Sequence, residues 1–211
     1  MSLPEEQGNP ELAFKLPPPR LKSNTSLEET IAKRRSIRRY GKRQLTPTQV
    51  AQLLWSAQGT TGSGRLRAAP SAGATYPLEI FILTGKGTVE ELAEGIYHYE
   101  VDRHSLTMHL PGDSRRKLAA AAFDQGFIAN APMDIVICAL YGRTSYRYGR
   151  RGERYVSIET GHVAQNVHLQ ATALGLATVE VGAFDDEEVR KVLQVQQEIR
   201  PLYIMPVGNP L

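Results

Sequence analysis

Residues 155–174 constrain the fold more than any other part of this sequence. Val156, Val163, Val167, Ala171 and Leu174 make one apolar stripe at helical spacing, and Ile158, His162, Leu169 and Ala173 make a second. A helix apolar on two sides is either buried in a core or packed between its own domain and a second subunit. Gly175 ends it. Around this helix the signals are mixed. Ser26 and Glu29 form a capping box that opens a helix to about residue 35. Pro47 opens another, with Val50, Leu53, Leu54 and Ala57 on its apolar face and Gly59 as its stop. Strands are predicted at 78–83, 95–101, 105–110, 133–141, 177–181 and 202–207. Asp113 or Ser114 caps a helix to about residue 123, and a short acidic-capped helix opens over 185–188. Helices first, then strands and helices interleaved with at least one hairpin, favour an α+β fold over a doubly wound parallel sheet.

Residues 1–25 are polar and proline-rich, with a three-proline run in LPPPR, and are expected to form an extended arm. Residues 26–211 then form one domain, and no internal repeat divides them. Residues 59–77 are a Gly, Ser, Thr and Ala stretch without hydrophobic period; a structureless run of that length inside a domain usually has a job.

Composition removes several function classes. The lone Cys138 excludes an internal disulfide and a cysteine-rich metal site. The longest apolar run, 133–141, is too short to span a membrane, and the N-terminus lacks the pattern of a signal peptide, so a cytoplasmic protein is expected. Phosphate-loop, dinucleotide, nucleophile-elbow and zinc-protease motifs are all missing, and no metal site is expected. The net charge of +3 comes from 25 basic and 22 acidic residues, which is no uniformly basic surface. The basic residues are instead grouped, at 33–43 and 143–154, which points to a bound anion.

Three segments can bind a flat, phosphate-bearing ligand. In RRSIRRY, Arg34 and Arg38 are four apart, so a continuing helix would aim both at one phosphate, with Ser36 adding a hydroxyl and Arg35 pointing elsewhere. In PSAGATYP, the small residues Pro70, Ser71, Ala72, Gly73 and Ala74 let the backbone approach a ring. In VEVGAF, a strand ends at Gly182 and Ala183 with free backbone N–H groups. Each segment alone is also explained as a basic face, a surface loop or a simple turn.

Together with ETGHVAQNVHLQATALGLA and the closing PLYIMPVGNP, these segments resemble the nitroreductase-like flavoenzymes, and within them the SagB-type dehydrogenase branch, over about residues 16–210. The resemblance implies a mixed, largely antiparallel sheet flanked by helices, an intertwined homodimer, and FMN shared between the subunits. It assigns Arg34, Arg35, Ser36 and Arg38 to the phosphate, ribityl and pyrimidine parts of FMN. Pro70 to Ala74 would contact the flavin from the other subunit, and Gly182 and Ala183 would lie near N5. A cation at the N1–O2 edge stabilises reduced flavin.

Two departures follow. Val207-Gly208 is followed only by Asn209-Pro210-Leu211, without the basic residues many relatives carry there. The lysine–tyrosine pair of azoline-oxidising members is matched by Arg147-Tyr148, and arginine is a poor general base. The expected activity is hydride transfer through FMN from NADH or NADPH to a small organic acceptor, by a ping-pong mechanism. Two alternatives remain: dehydrogenation of a modified peptide or heterocycle, with Arg147 and Tyr148 at the substrate, and a non-catalytic flavin- or nucleic-acid-binding protein. No nucleic-acid motif accompanies the charges, so the last is disfavoured.

Overall fold

The computed structural model describes residues 13–62 and 66–211. The chain forms strand β1 (Ala13–Lys15), helices α1 (Leu27–Lys33) and α2 (Pro47–Gln58), then strands β2 (Leu78–Thr84), β3 (Gly95–Glu100) and β4 (Ser105–Pro111). Helices α3 (Arg115–Ala121) and α4 (Gly126–Asn130) precede β5 (Met133–Leu140), α5 (Tyr141–Tyr148) and α6 (Arg151–Ala173). Strand β6 (Ala177–Thr178), helix α7 (Asp186–Leu193) and strand β7 (Ile199–Gly208) close the chain. The strands make one seven-stranded sheet in the order β1-β4-β3-β2-β5-β7-β6, and every pairing between them is antiparallel. The α+β architecture is therefore as expected.

Strand β5 explains the three layers. Met133, Ile135, Ile137 and Ala139 face the larger core, which α2 and α6 cover with Leu53, Leu54, Val163 and Val167. Val136 and Cys138 face the opposite core, where Leu118, Ile128, Val189 and Leu193 arrive from α3, α4 and α7. Both sheet faces are buried, so β5 reads as a continuous apolar run instead of alternating.

Local chemistry sets the helix ends. Ser26 and Thr46 both make complete capping boxes, with Glu29 and Gln49 at the third helical position. Helix α1 nevertheless stops at Lys33, where Arg34 turns out of the helix with ψ 124°. The expectation that Arg34 and Arg38 share a helical face is thus overturned. The segment runs extended instead, with Ser36 bridging Thr178 in parallel and Tyr40 bridging Pro210. Sheet-edge pairing outcompetes continuation of a short helix that has little to bury.

The expectation for the long helix divides. Val156, Val163, Val167 and Ala171 are buried, whereas Ile158 of the second stripe stays 46% exposed. Beside it, α1 leaves Leu27 at 61% and Ile31 at 56% exposed.

Candidate functional site

Two of the three sequence-singled segments meet at one edge of the sheet. The Ile37 amide donates to the Thr178 carbonyl at 3.0 Å, which lays residues 34–38 alongside β6 and the strand end that follows it. The His168 ring on α6 locks this edge: Nε2 lies 3.2 Å from the Arg35 carbonyl and Nδ1 lies 2.6 Å from Glu180 Oε1. Burial pushes the Glu180 carboxyl up, but the His168 hydrogen bond and charge outweigh it and hold Glu180 below its ordinary range. Arg35 bends back on its own turn, donating to the Ala32 and Arg34 carbonyls. Arg38 lies over the Phe127 ring at 5.8 Å. Among the described residues, Arg34 and Arg38 pair with no carboxylate. Gly182 and Ala183 are exposed on the same edge, and the Ala183 carbonyl is held by Gln125 Nε2 at 2.8 Å. A Cβ at Gly182 would make ordinary van der Waals contact with the Tyr203 ring at 3.4 Å.

The third segment docks elsewhere. Ser71 Oγ donates to Glu159 Oε2 at 2.6 Å and accepts from the Tyr76 amide at 2.9 Å. Glu159 is buried, which raises its carboxyl pKa, and its Oε1 has no partner among the described residues. Gly73, Ala74 and Tyr76 all have positive φ, at 59°, 53° and 45°. Only glycine adopts that conformation freely, so the loop stores strain at its tip. Three contacts from α5 hold it: Arg147 Nη1 to the Gly73 carbonyl at 3.2 Å, Thr144 Oγ1 to Thr75 Oγ1 at 2.7 Å, and Arg143 Nη1 to the Tyr76 carbonyl at 3.0 Å. A Cβ on Gly73 would come within 2.5 Å of the Tyr148 hydroxyl. Arg147 and Tyr148 therefore flank Gly73, and the structure brings these two sequence candidates to the PSAGA loop.

Behind the loop lies a charged chain that sequence reasoning did not find. Arg143 Nη2 pairs with Glu79 Oε1 at 2.5 Å, Glu79 Oε2 with His98 Nε2 at 2.6 Å, and His98 Nδ1 with Glu100 Oε1 at 3.0 Å. Burial opposes the imidazolium, but the bonds to Glu100 and Glu79 win and raise the His98 pKa to about 9. Its strand alternation, which puts Glu100 on the same face two residues on, was visible in sequence; Glu79 comes from β2 and depends on the register. Gln125 and Phe127 were also missed, because they lie at the N-cap and in the first turn of the short helix α4, which has no strong pattern.

The two halves of the candidate site grip opposite sides of one helix. Glu159 holds the loop and His168 holds the Arg-rich edge. Nine residues along α6 is two and a half turns, so these points face opposite ways and lie about 13 Å apart along the axis. Residues 34–38 and 70–74 are thus anchored on opposite faces of α6.

The family model described as the Nitroreductase family matches residues 31–209. The chain belongs to that family. Among relatives, MJ1384 of Methanocaldococcus jannaschii, assigned as a nitroreductase, is 46% identical over 88% of this chain and 91% of its own length. The microcin B17-processing protein McbC of Escherichia coli is 26% identical over 80% of this chain, which spans 64% of McbC. Among solved structures, a Ralstonia eutropha protein, also assigned as a nitroreductase, matches with a TM-score of 0.83 at 25% identity, covering 97% of this chain and 92% of that one. Nitroreductase-family membership makes this protein an FMN-dependent oxidoreductase.

The residues of this nitroreductase-family chain fit such a group. Arg34 and Arg38, without carboxylate partners among the described residues, and the exposed Gly182 and Ala183 offer charge and access along one edge. Among the described residues no cluster of three or more metal-ligating side chains is present, and no helix is long and apolar enough to cross a membrane.

Proposed function

We propose that the protein works as a homodimer whose two FMN sites each combine residues 34–38, 182 and 183 of one subunit with residues 70–74 of the other. The opposed docking of these segments on α6 carries this reading, because within one protomer each half of the site lacks its complement. The exposed Leu27, Ile31 and Ile158 supply an apolar face for the subunit contact.

Within such a site, Arg34 would neutralise the phosphate and Arg38 the edge of the ring where negative charge develops on reduction. Gly182 and Ala183 would present backbone N–H donors, and the PSAGA loop would close the cofactor against water. The strain at Gly73, Ala74 and Tyr76 is held by α5, so the loop is pre-organised before any ligand arrives. FMN held there would supply hydride transfer between NADH or NADPH and a small organic acceptor, the two using the same slot in turn. The chain then needs no general acid or base of its own, and its Arg147 and Tyr148 border the substrate side. FMN reductase (NADPH) of Bacillus subtilis, 23% identical over 86% of this chain, supports the reductant.

A second reading rests on the likeness to McbC and on the trifolitoxin operon protein TfxC of Rhizobium leguminosarum, 26% identical over 84% of this chain. It makes the protein a SagB-type dehydrogenase of a modified peptide or heterocycle, with Arg147 and Tyr148 at the substrate.

The test is the visible spectrum of the purified protein, repeated with FMN and then with NADH or NADPH under anaerobic conditions. Flavin bands that bleach with a nicotinamide support the first reading. Bands that persist transfer the weight to the second. A protein that takes up no flavin refutes both.

A further inference from the structure

An open groove of about 590 Å³ lies at the end of the sheet where β2 and β7 finish, lined by Arg38, Arg39, Lys42, Arg43, Lys86 and Arg115. Among the described residues, no Asp or Glu lines it. These cations come from three separate parts of the chain, so the concentration of charge is a product of folding and not of one basic run. Arg115 is neutralised by Asp113 and fixed by the Ala131 carbonyl. Arg43 is fixed without being neutralised, since Nε and Nη2 both donate to the neutral Asn209 Oδ1. Arg38, Arg39, Lys42, Arg43 and Lys86 pair with no carboxylate among the described residues. Cations held together without counter-charge repel one another, and a multiply charged anion between them relieves that repulsion.

We infer that this groove binds a phosphate ester, and specifically the 2′-phosphate arm of NADPH. The groove falls within the roughly 300–1,000 Å³ of small-molecule sites and far exceeds the needs of a bare anion. Arginine forks and lysines arriving from several directions match a dianionic tetrahedral group better than a planar carboxylate. The choice of NADPH rests on the flavin reading above, because Arg38 belongs both to the groove and to the proposed flavin edge. Arg39, Lys42, Arg43 and Lys86 would then select the reductant, while Arg38 serves the cofactor. The same phosphate chemistry has a second source, a phosphorylated substrate delivered independently of the reductant.

The experiment titrates FMN-supplemented protein with 2′,5′-ADP, 5′-AMP and pyrophosphate at low salt, and repeats it with the Lys42→Glu/Lys86→Glu double variant. Both lysines are exposed, so the variant is expected to fold, with its melting curve as the control. Saturable binding of 2′,5′-ADP in preference to 5′-AMP is expected, weakened roughly tenfold or more in the variant. The NADPH-to-NADH ratio of kcat/KM should fall with it, at unchanged FMN content. Pyrophosphate binding that the variant weakens, with the nicotinamide ratio unmoved, would keep the phosphate site and assign it to a phosphorylated substrate, overturning the NADPH arm. No saturable binding, or binding indifferent to the double reversal, would overturn the site. Loss of FMN from the folded variant would also overturn it, by making the groove part of the flavin site. A wild-type protein that binds 2′,5′-ADP but no FMN would refute the flavin reading and leave the groove standing.

Discussion

Replacing His98 with Asn should change how the protein's stability depends on pH, and it should do so in one direction only. The imidazole is raised from 6.5 to about 9, because the bonds to Glu100 and Glu79 outweigh burial. The folded state therefore holds this proton more tightly than the unfolded chain. Its contribution is complete below pH 6.5, declines as pH rises, and is gone above about 9. At about 1.36 kcal/mol per pH unit the ceiling is about 3 kcal/mol, and partial solvent access to Glu100 makes about 2 kcal/mol the working expectation. Urea unfolding of wild type and His98→Asn at pH 6.0, 7.5 and 9.5 checks this. The stability difference between the two proteins should shrink as pH rises, since groups shared by both cancel. A difference that is constant with pH, or that grows toward pH 9.5, would refute the charged Glu100–His98–Glu79 chain. The same variant reports on the loop, because Glu79 is also the anchor of Arg143, which holds the Tyr76 carbonyl.

Other expectations are narrower. Arg38→Ala should weaken FMN binding by about 1.5–3 kcal/mol, measured by flavin fluorescence, and unchanged affinity in a folded variant would remove Arg38 from the site. Gly73→Val places a Cβ within 2.5 Å of the Tyr148 hydroxyl and forces a positive φ on a β-branched residue, so flavin uptake should be lost; full occupancy would mean the loop does not contact the flavin. Asp134 is fully buried with both oxygens unpartnered among the described residues, and burial raises its pKa well above the usual value. Its cost is thus absent below about pH 4 and grows as pH rises, so Asp134→Asn should gain about 1 kcal/mol or more at pH 7, and a lower melting temperature there would contradict this. Ile158→Glu should yield monomers with poor flavin retention by light scattering, whereas a monomer that keeps tight flavin would defeat the shared site.

Much of the fold was legible because its signals are local. The capping box at Ser26 needs only four residues and forms as read, and the helix read from Pro47 opens there, with a Thr46–Gln49 box that the structure adds. The buried strand β5 was visible as an apolar run because both sheet faces are covered. What escaped were elements whose stability comes from their neighbours. Helix α5 carries Arg143, Arg147 and Tyr148, polar residues that make sense only against the loop they hold. Strand β1 is three residues long and exists through its pairing with β4. The helical reading of residues 34–38 failed for the same reason: Thr178 is far away in sequence, and its carbonyl decides the conformation of Ile37.

The candidate site shows the same division. Its residue types could be picked out from composition and spacing, but their partition between two sides of α6 could not. That helix carries an apolar stripe for the core and, on other faces, two polar residues with different tasks. Glu159 receives a strained loop through Ser71, and His168 receives an extended segment through the Arg35 carbonyl. Because nine residues rotate a helix by half a turn more than whole turns, the two attachments point apart. The second apolar stripe, beginning at Ile158, then acquires a reason. If α6 lies at a subunit contact, the attachments that diverge within one protomer can converge with those of its twin. A single helix would then set both the register of the dimer and the distance between the flavin edge and the loop that closes over it.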